Sequence, residues 1–388
     1  MNILRIVLSG MLLLALFGCG GGQSHIIGFG ESVFATQANL ANTRHRILIA
    51  TTRAPSDDPR EFFSGERASS LSLGYVDVGV PPQRSIGEIT RPPEGPPNPE
   101  TDFVVSTPVM YQQGAELNKI IRDQFGNRSG RSNTALVFVH GYNTNFSSAV
   151  LRISQFVHDT GYTGIPILFS WASRAKTVDY VYDLNSALQS RYYLSRFNRE
   201  LGETDVDHIA VFAHSMGNMA ALESLRILED EQDATFWDKL HGVVMASPDV
   251  DIDLFTEYLR RMPRTRNVLR VFVSGDDRAL RVSQRIAGGQ SRVGATDAQY
   301  LSALGIRVID LSDIETNERL NHSKFADSPE VIRLFSLAME GLTERDDAPE
   351  VDGRVTVLIE QALQKCDREL TPAEIESCVR AVRESAGG

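Results

Sequence analysis

The 388-residue sequence predicts an α/β domain built on a mostly parallel sheet with helices on both faces. Two observations carry this. From about residue 115 onward, short apolar runs alternate with segments of helical period, as strands joined by crossover helices do. Those runs, such as ALVFV at 135–139 and IAVFA at 209–213, are apolar throughout, which suits strands covered on both faces. The composition, 42% hydrophobic and 23% charged, is that of a globular protein. The net charge of −11 argues against a nucleic-acid partner.

The N-terminus stands apart. MNILRIVLSGMLLLALFGCGGG has one early Arg5 and an apolar stretch from Ile6 to Phe17. That stretch is too short to span a bilayer comfortably, so a signal peptide is expected over 1–18. Leu16-Phe17-Gly18-Cys19 resembles the bacterial lipoprotein cleavage box. The resemblance implies that Cys19 is lipidated and membrane-anchored. Gly20, where an aspartate would retain the chain at the inner membrane, leans by the same resemblance toward the outer membrane, facing the periplasm. Residues 19–44 then form a linker. In an oxidising periplasm Cys366 and Cys378, close in sequence, are expected to pair as a disulfide within a helical extension over 346–388.

The domain proper is expected over 45–345, beginning with a β-rich extension. ILIATT (47–52), LGYVDVGV (73–80) and DFVVSTPVMY (102–111) are β-like runs, and RPPEGPPNPE (91–100) is a proline-rich loop. GAELNKIIRDQF (114–125) and SSAVLRISQFVHDT (147–160) are helical, and IPILFSW (165–171) is a strand. A long helical stretch runs over about 176–201, and Arg174–Leu201 is a candidate cap over a site. Strands DHIAVFAH, LHGVVMAS, NVLRVFVSG and IRVIDLS then alternate with helices at 216–230, 253–262, 278–287 and 328–340.

In a parallel α/β sheet the functional loops lie at the carboxyl ends of the strands. Here those ends carry His140-Gly141-Tyr142-Asn143, Ala213-His214-Ser215-Met216-Gly217, Pro248-Asp249 and Gly275-Asp276-Asp277, with His322 in the loop after the last strand. The set supplies a hydroxyl, carboxylates and an imidazole in the order Ser, Asp, His. A serine hydroxyl is a weak nucleophile that needs a histidine to take its proton. A carboxylate orients the imidazole and stabilises its charged form. Ser215 stands where an apolar strand meets an amphipathic helix, a turn that demands small flanking residues. Gly217 and Ala213 supply them.

Seven of the eight histidines precede the acid candidates, so His322 is the base if that order holds. Asp277, before a helix and after the next-to-last strand, is the expected acid. Asp249 and Asp276 are its rivals, and whichever carboxylates are not used are expected to cap a helix or form a turn. The oxyanion donors would be the backbone N–H groups of Met216 and Tyr142. His140 is expected to bond backbone and Asn143 to hold the loop. Trp171 and Tyr180 are candidate pocket residues. Asp183 reads equally as a buried, hydrogen-bonded group or a solvated one.

These residues together resemble an α/β hydrolase, and more closely a bacterial α/β-hydrolase family of unknown function. The likeness lies in Ala50–Arg53, Phe138–Asn143, Ser170–Ser173, Tyr180 with Asp183, the 246–251 segment ASPDVD, Asp277–Leu280 and His322, and spans about 45–345. It implies the α/β-hydrolase fold and an esterase- or lipase-type activity on a small-molecule or lipid-like ester. The alternative is a non-catalytic envelope lipoprotein that uses the scaffold for binding. Metal and cofactor are not expected. In Asp249-x-Asp251-x-Asp253, Leu254 replaces the glycine and Arg260 the glutamate of a calcium loop.

Overall fold

The computed structural model describes residues 44–335, apart from 59, 92–96, 127–131, 315, 317–319 and 334. Cys19, Cys366, Cys378, the expected signal peptide and the C-terminal extension lie outside the described residues. The strands are β1 (Arg44–Pro55), β2 (Phe63–Gly79), β3 (Val104–Val105), β4 (Val109–Met110), β5 (Thr134–Val139), β6 (Ile165–Ser170), β7 (His208–His214), β8 (Leu240–Ala246), β9 (Leu269–Val273) and β10 (Arg307–Asp310). The helices are α1 (Leu117–Phe125), α2 (Phe146–Asp159), α3 (Tyr180–Gly202), α4 (Gly217–Asp230), α5 (Ala234–Lys239), α6 (Ile252–Arg261), α7 (Arg278–Ile286) and α8 (Ala298–Ala303).

One sheet runs in the order β10-β9-β8-β7-β5-β6-β1-β2-β3, with β4 also on β2. The strands from β10 to β1 are mutually parallel; β2 runs antiparallel to β1. The fold class read from the sequence is the one observed. One detail differs. The N-terminal β segment is not an appendage but completes the sheet, with Leu48 opposite Ile167 and Thr51 opposite Ser170. Its early position in the chain hid this, because strand order is set by long-range pairing.

The period of two along each central strand divides the core. In β5, Val137 and Val139 join one cluster while Leu136 and Phe138 join the other; in β7, Val211 and Ala213 part from Ala210 and Phe212 in the same way. The first layer packs under α1, α3, α4 and α6, through residues such as Ile120, Phe197, Leu225 and Phe255. The second packs under α2 and the segment carrying Phe325 and Phe335. Helix α3 is therefore a layer of the core: Leu194, Phe197 and Leu201 are fully buried. The expected cap over the site is a core helix, and only its first turn reaches the strand ends.

The winding reverses between β5 and β7. From β5 the chain steps to β6 on one side, then crosses to β7 on the other and continues outward to β10. The carboxyl ends of β5 and β7 border this switch point, the place where open α/β sheets form a crevice. The two ends are pressed together. A Cβ at Gly217 would lie 2.3 Å from the His140 carbonyl oxygen and 2.8 Å from that of Val139. By contrast, Ala213, on the other side of the turn, is fully buried and its methyl is accommodated in the core.

Gly217→Ala should therefore cost about 3 kcal/mol through overpacking against backbone. Thermal unfolding of the purified protein should show a melting temperature lower by several degrees; an unchanged one would contradict the packing.

Candidate active site

Ser215 follows the last residue of β7 and has φ +51°. A non-glycine residue in this region costs on the order of 1–3 kcal/mol and persists only where its surroundings hold it. The backbone bonds supply that hold. Ser215 N–H donates to the Ala246 carbonyl (3.0 Å), and the Ser215 carbonyl accepts from Asn218 N–H (3.1 Å), Asn218 Nδ2 (2.9 Å) and Asp249 N–H (3.2 Å). Gly141 approaches so closely that a Cβ there would meet Ser215 Cβ at 2.8 Å. Met216 is fully buried and stands at the N-terminus of α4, where the first N–H groups have no partner within the helix. Among the described residues no protein acceptor takes the N–H of Met216 or of Tyr142.

His322 Nδ1 lies 2.7 Å from Asp277 Oδ2, and Asp277 is completely buried. The other oxygen, Oδ1, accepts from Leu280 N–H at 2.9 Å, so Asp277 also caps α7. The cap and the partner of the histidine are thus one residue, where the sequence suggested different carboxylates. The His322 ring packs on the His214 ring, with centroids 4.8 Å apart, and His214 packs in turn on Phe325. His214 Nε2 lies 3.3 Å from the His322 carbonyl oxygen. His322 thus sits directly against the residue preceding Ser215.

The two rival carboxylates are engaged elsewhere. Asp276 accepts from Asn321 Nδ2 (2.8 Å), from Lys324 Nζ (2.8 Å) and from Ser274 Oγ. Lys324 is only 1% exposed and also donates to the Leu311 carbonyl at 2.8 Å. Asp276 therefore ties the chain on both sides of His322 to the loop that carries Asp277. Burial pushes its carboxyl up, but the bonds from Lys324 and Ser274 prevail and leave it below the usual range. Asp249 accepts from Ser283 Oγ (2.5 Å) and Tyr180 Oη (3.1 Å) and pairs with buried Arg292 at 3.3 Å. The N-cap of α6 is Asp251.

Tyr180 is mostly buried, and its ring meets Tyr142 edge-on at 5.2 Å. Trp171 is not available as a pocket wall. It is fully buried, stacks on His140 at 4.8 Å and donates from Nε1 to the His140 carbonyl at 2.8 Å. Its place as an aromatic near a strand end suggested a pocket; the stacking that removes it is a tertiary contact. His140 bonds backbone as expected: the neutral ring donates from Nδ1 to the Gly141 carbonyl at 2.9 Å, which leaves Nε2 as an acceptor facing Arg53 Nη2 at 3.3 Å. Burial first, then the nearby Arg53, lowers its pKa to about 3.

Two further charges lie under this loop. Arg53 of β1 is 1% exposed, and burial lowers its pKa to about 9, which leaves it charged at neutral pH. Asp183 of α3 is fully buried and accepts from Ser173 Oγ (2.5 Å), Arg174 N–H (3.0 Å) and Asn143 N–H (3.2 Å). Burial outweighs those bonds and raises its pKa. Asn143 stands at φ +55°, and it is its backbone N–H, donating to Asp183, that ties the loop. Lys324 and Arg292 escaped the sequence reading; a lysine beside Phe325-Ala326 in an apolar context was the available signal for the first.

A family model described as "Alpha/beta hydrolase of unknown function (DUF900)" matches residues 115–339, more than half of the chain. No curated protein matches. Among solved structures, the chain is similar to a hyperthermophilic esterase from Pyrobaculum calidifontis, with 12% identity, 88% of this chain and 98% of that one covered and a TM-score of 0.36. It is similar to EstE1, a thermostable carboxylesterase from a metagenomic library, with 12% identity, coverage of 81% and 96% and a TM-score of 0.34. A thermostable esterase from Pseudomonas putida gives 11% identity, coverage of 81% and 89% and a TM-score of 0.37.

The neutral, buried His140 makes stability depend on pH. Below its ordinary value of 6.5 the unfolded chain takes up a proton at this residue, and the folded protein does not until about 3. Stability must therefore fall as pH drops through that window, with His140 contributing a loss of about 2 kcal/mol between pH 7 and pH 5. Urea unfolding at both pH values checks this: His140→Asn should show a shallower pH dependence than the wild type, and an equal slope would refute it.

Proposed function

Because the chain belongs to the family of α/β hydrolases of unknown function, we propose that it is a serine hydrolase cleaving an ester-type bond. The bond is a carboxylic ester or a thioester, and the route is an acyl-enzyme. The observation that carries this reading is the 2.7 Å contact between His322 Nδ1 and the buried Asp277 carboxylate, beside a serine held at positive φ.

In this reading Ser215 Oγ attacks the acyl carbonyl while His322 Nε2 takes the hydroxyl proton. Asp277 keeps the proton of the neutral imidazole on Nδ1, which leaves Nε2 as the base, and it stabilises the imidazolium that forms. The N–H groups of Met216 and Tyr142 donate to the developing oxyanion, each worth about 3–4 kcal/mol in the transition state. The Asn143 N–H is already used by Asp183, which favours Tyr142 as the donor from that loop. His322 then returns the proton to the departing alcohol or thiol, and a water activated by the same histidine hydrolyses the acyl-enzyme. The chemistry requires no cofactor. The substrate is a small-molecule or lipid-like ester, and the enzyme acts from the outer membrane on the periplasmic side, anchored through lipidated Cys19.

Ser215→Ala should abolish turnover of short aryl esters and labelling by a fluorophosphonate probe. Asp277→Asn should lower kcat by about a thousandfold or more. Labelling that survives loss of Ser215 would refute the assignment, and a wild-type protein that no such probe labels would favour a binding role instead. Cys19→Ser should move the protein from the membrane to the soluble fraction on fractionation of cells; unchanged membrane association would refute the anchor.

A further inference from the structure

We infer that Arg53 and Asp183 form a positioning pair that sets the loop bearing Tyr142 in the geometry needed for oxyanion stabilisation. This rests on the hydrolase reading proposed above.

All five N–H donors of the Arg53 guanidinium have partners, and the partners come from three separate stretches of chain. Nε donates to Ser170 Oγ (2.8 Å), Nη1 to the Ser173 carbonyl (2.9 Å) and the Ser64 carbonyl (3.2 Å), and Nη2 to the Thr144 carbonyl (2.7 Å) and toward His140 Nε2 (3.3 Å). A planar five-donor fork can join that many acceptors at once, and an ammonium with three donors cannot. None of these partners is a carboxylate; the opposing charge is Asp183, which acts on Arg53 through space.

Asp183 grips the same loop from the other side. Its oxygens take the N–H groups of Asn143 and Arg174 and the hydroxyl of Ser173. Ser173 is the shared node: its carbonyl accepts from Arg53, and its hydroxyl oxygen also accepts from Thr144 N–H at 3.1 Å. Residues 143 and 144 are thereby fixed at three backbone atoms, namely Asn143 N, Thr144 N and Thr144 O. The N–H groups on the loop's far side are consumed, while that of Tyr142 keeps no protein acceptor among the described residues. The hold is also independent of the Asp277–His322 pair, which lies on other loops.

The arrangement has a chemical consequence. A misplacement of about 1 Å at a reacting group lowers rate by up to about a hundredfold, and loss of one oxyanion donor lowers kcat by roughly 10²–10³-fold. Loosening this loop should therefore act on kcat and leave the base untouched.

The test uses the full-length protein with Asp183→Asn, which is nearly isosteric, and Arg53→Lys. Melting temperature, kcat, KM, the rate of fluorophosphonate inactivation and the pH dependence of kcat/KM are measured for each. The expected result in the folded variants is a fall in kcat and in inactivation rate of about ten- to a hundredfold. KM should change by less than about threefold, and the apparent pKa of the acid limb, set by His322, should not move. Folded variants with wild-type kcat, or with the loss confined to KM, would overturn the inference alone. Unfolding of both variants would make the pair a purely structural element and overturn it too. An inert wild type would overturn the hydrolase reading and this inference with it.

Discussion

The site depends on one close approach of backbones. The turn from β7 into α4 lies against the end of β5 so tightly that neither Gly141 nor Gly217 has room for a methyl group. That contact sets the neighbouring residues. Ser215 is driven to φ +51°, and its carbonyl must find donor partners, which the N–H groups of Asn218 and Asp249 provide. The N-terminus of α4 and the loop after β5 are thereby brought side by side.

Around this contact the molecule keeps three carboxylates near one another, and it does so by giving each a different partner. Asp277 meets His322 and the N-terminus of α7. Asp276, its neighbour in sequence, faces Lys324 and Asn321 and so holds the histidine loop. Asp249 meets Arg292, Ser283 and Tyr180. A buried carboxylate with no partner carries a large desolvation cost. The partners divide the labour: one acid is left for the histidine and the other two become fasteners. Arg53 and Asp183 repeat the pattern beneath the loop after β5, where the guanidinium is satisfied by carbonyls rather than by a carboxylate.

Much of this was legible in the sequence for a local reason. The apolar runs and the helical periods are properties of short windows, so the parallel sheet and the strand-end positions of His140, Ser215, Asp277 and His322 followed from them. Chain order then singled out His322, because the other histidines come earlier. The sequence favoured Asp277 over Asp249, at the preceding strand end, and Asp276, its neighbour, but could not exclude them, because carboxylates at strand ends differ in which way each side chain points. The tertiary fold decides that direction. The same holds for Trp171, whose ring could have faced a pocket but stacks on His140. It holds as well for Asp183, whose helix position allowed either a buried or a solvated face.

The sequence by itself determined the fold class and the set of chemical groups at the strand ends, since both are written in periodicity and in residue type. Only the tertiary structure decided that β1 lies beside β6, which carries Arg53 under a loop 87 residues further on. It also decided that Lys324 is buried against Asp276. The physical reason is one of range. Hydrophobic periodicity acts over a few residues, whereas the placement of a buried charge is set by whichever distant donors and acceptors arrive within about 3 Å of it.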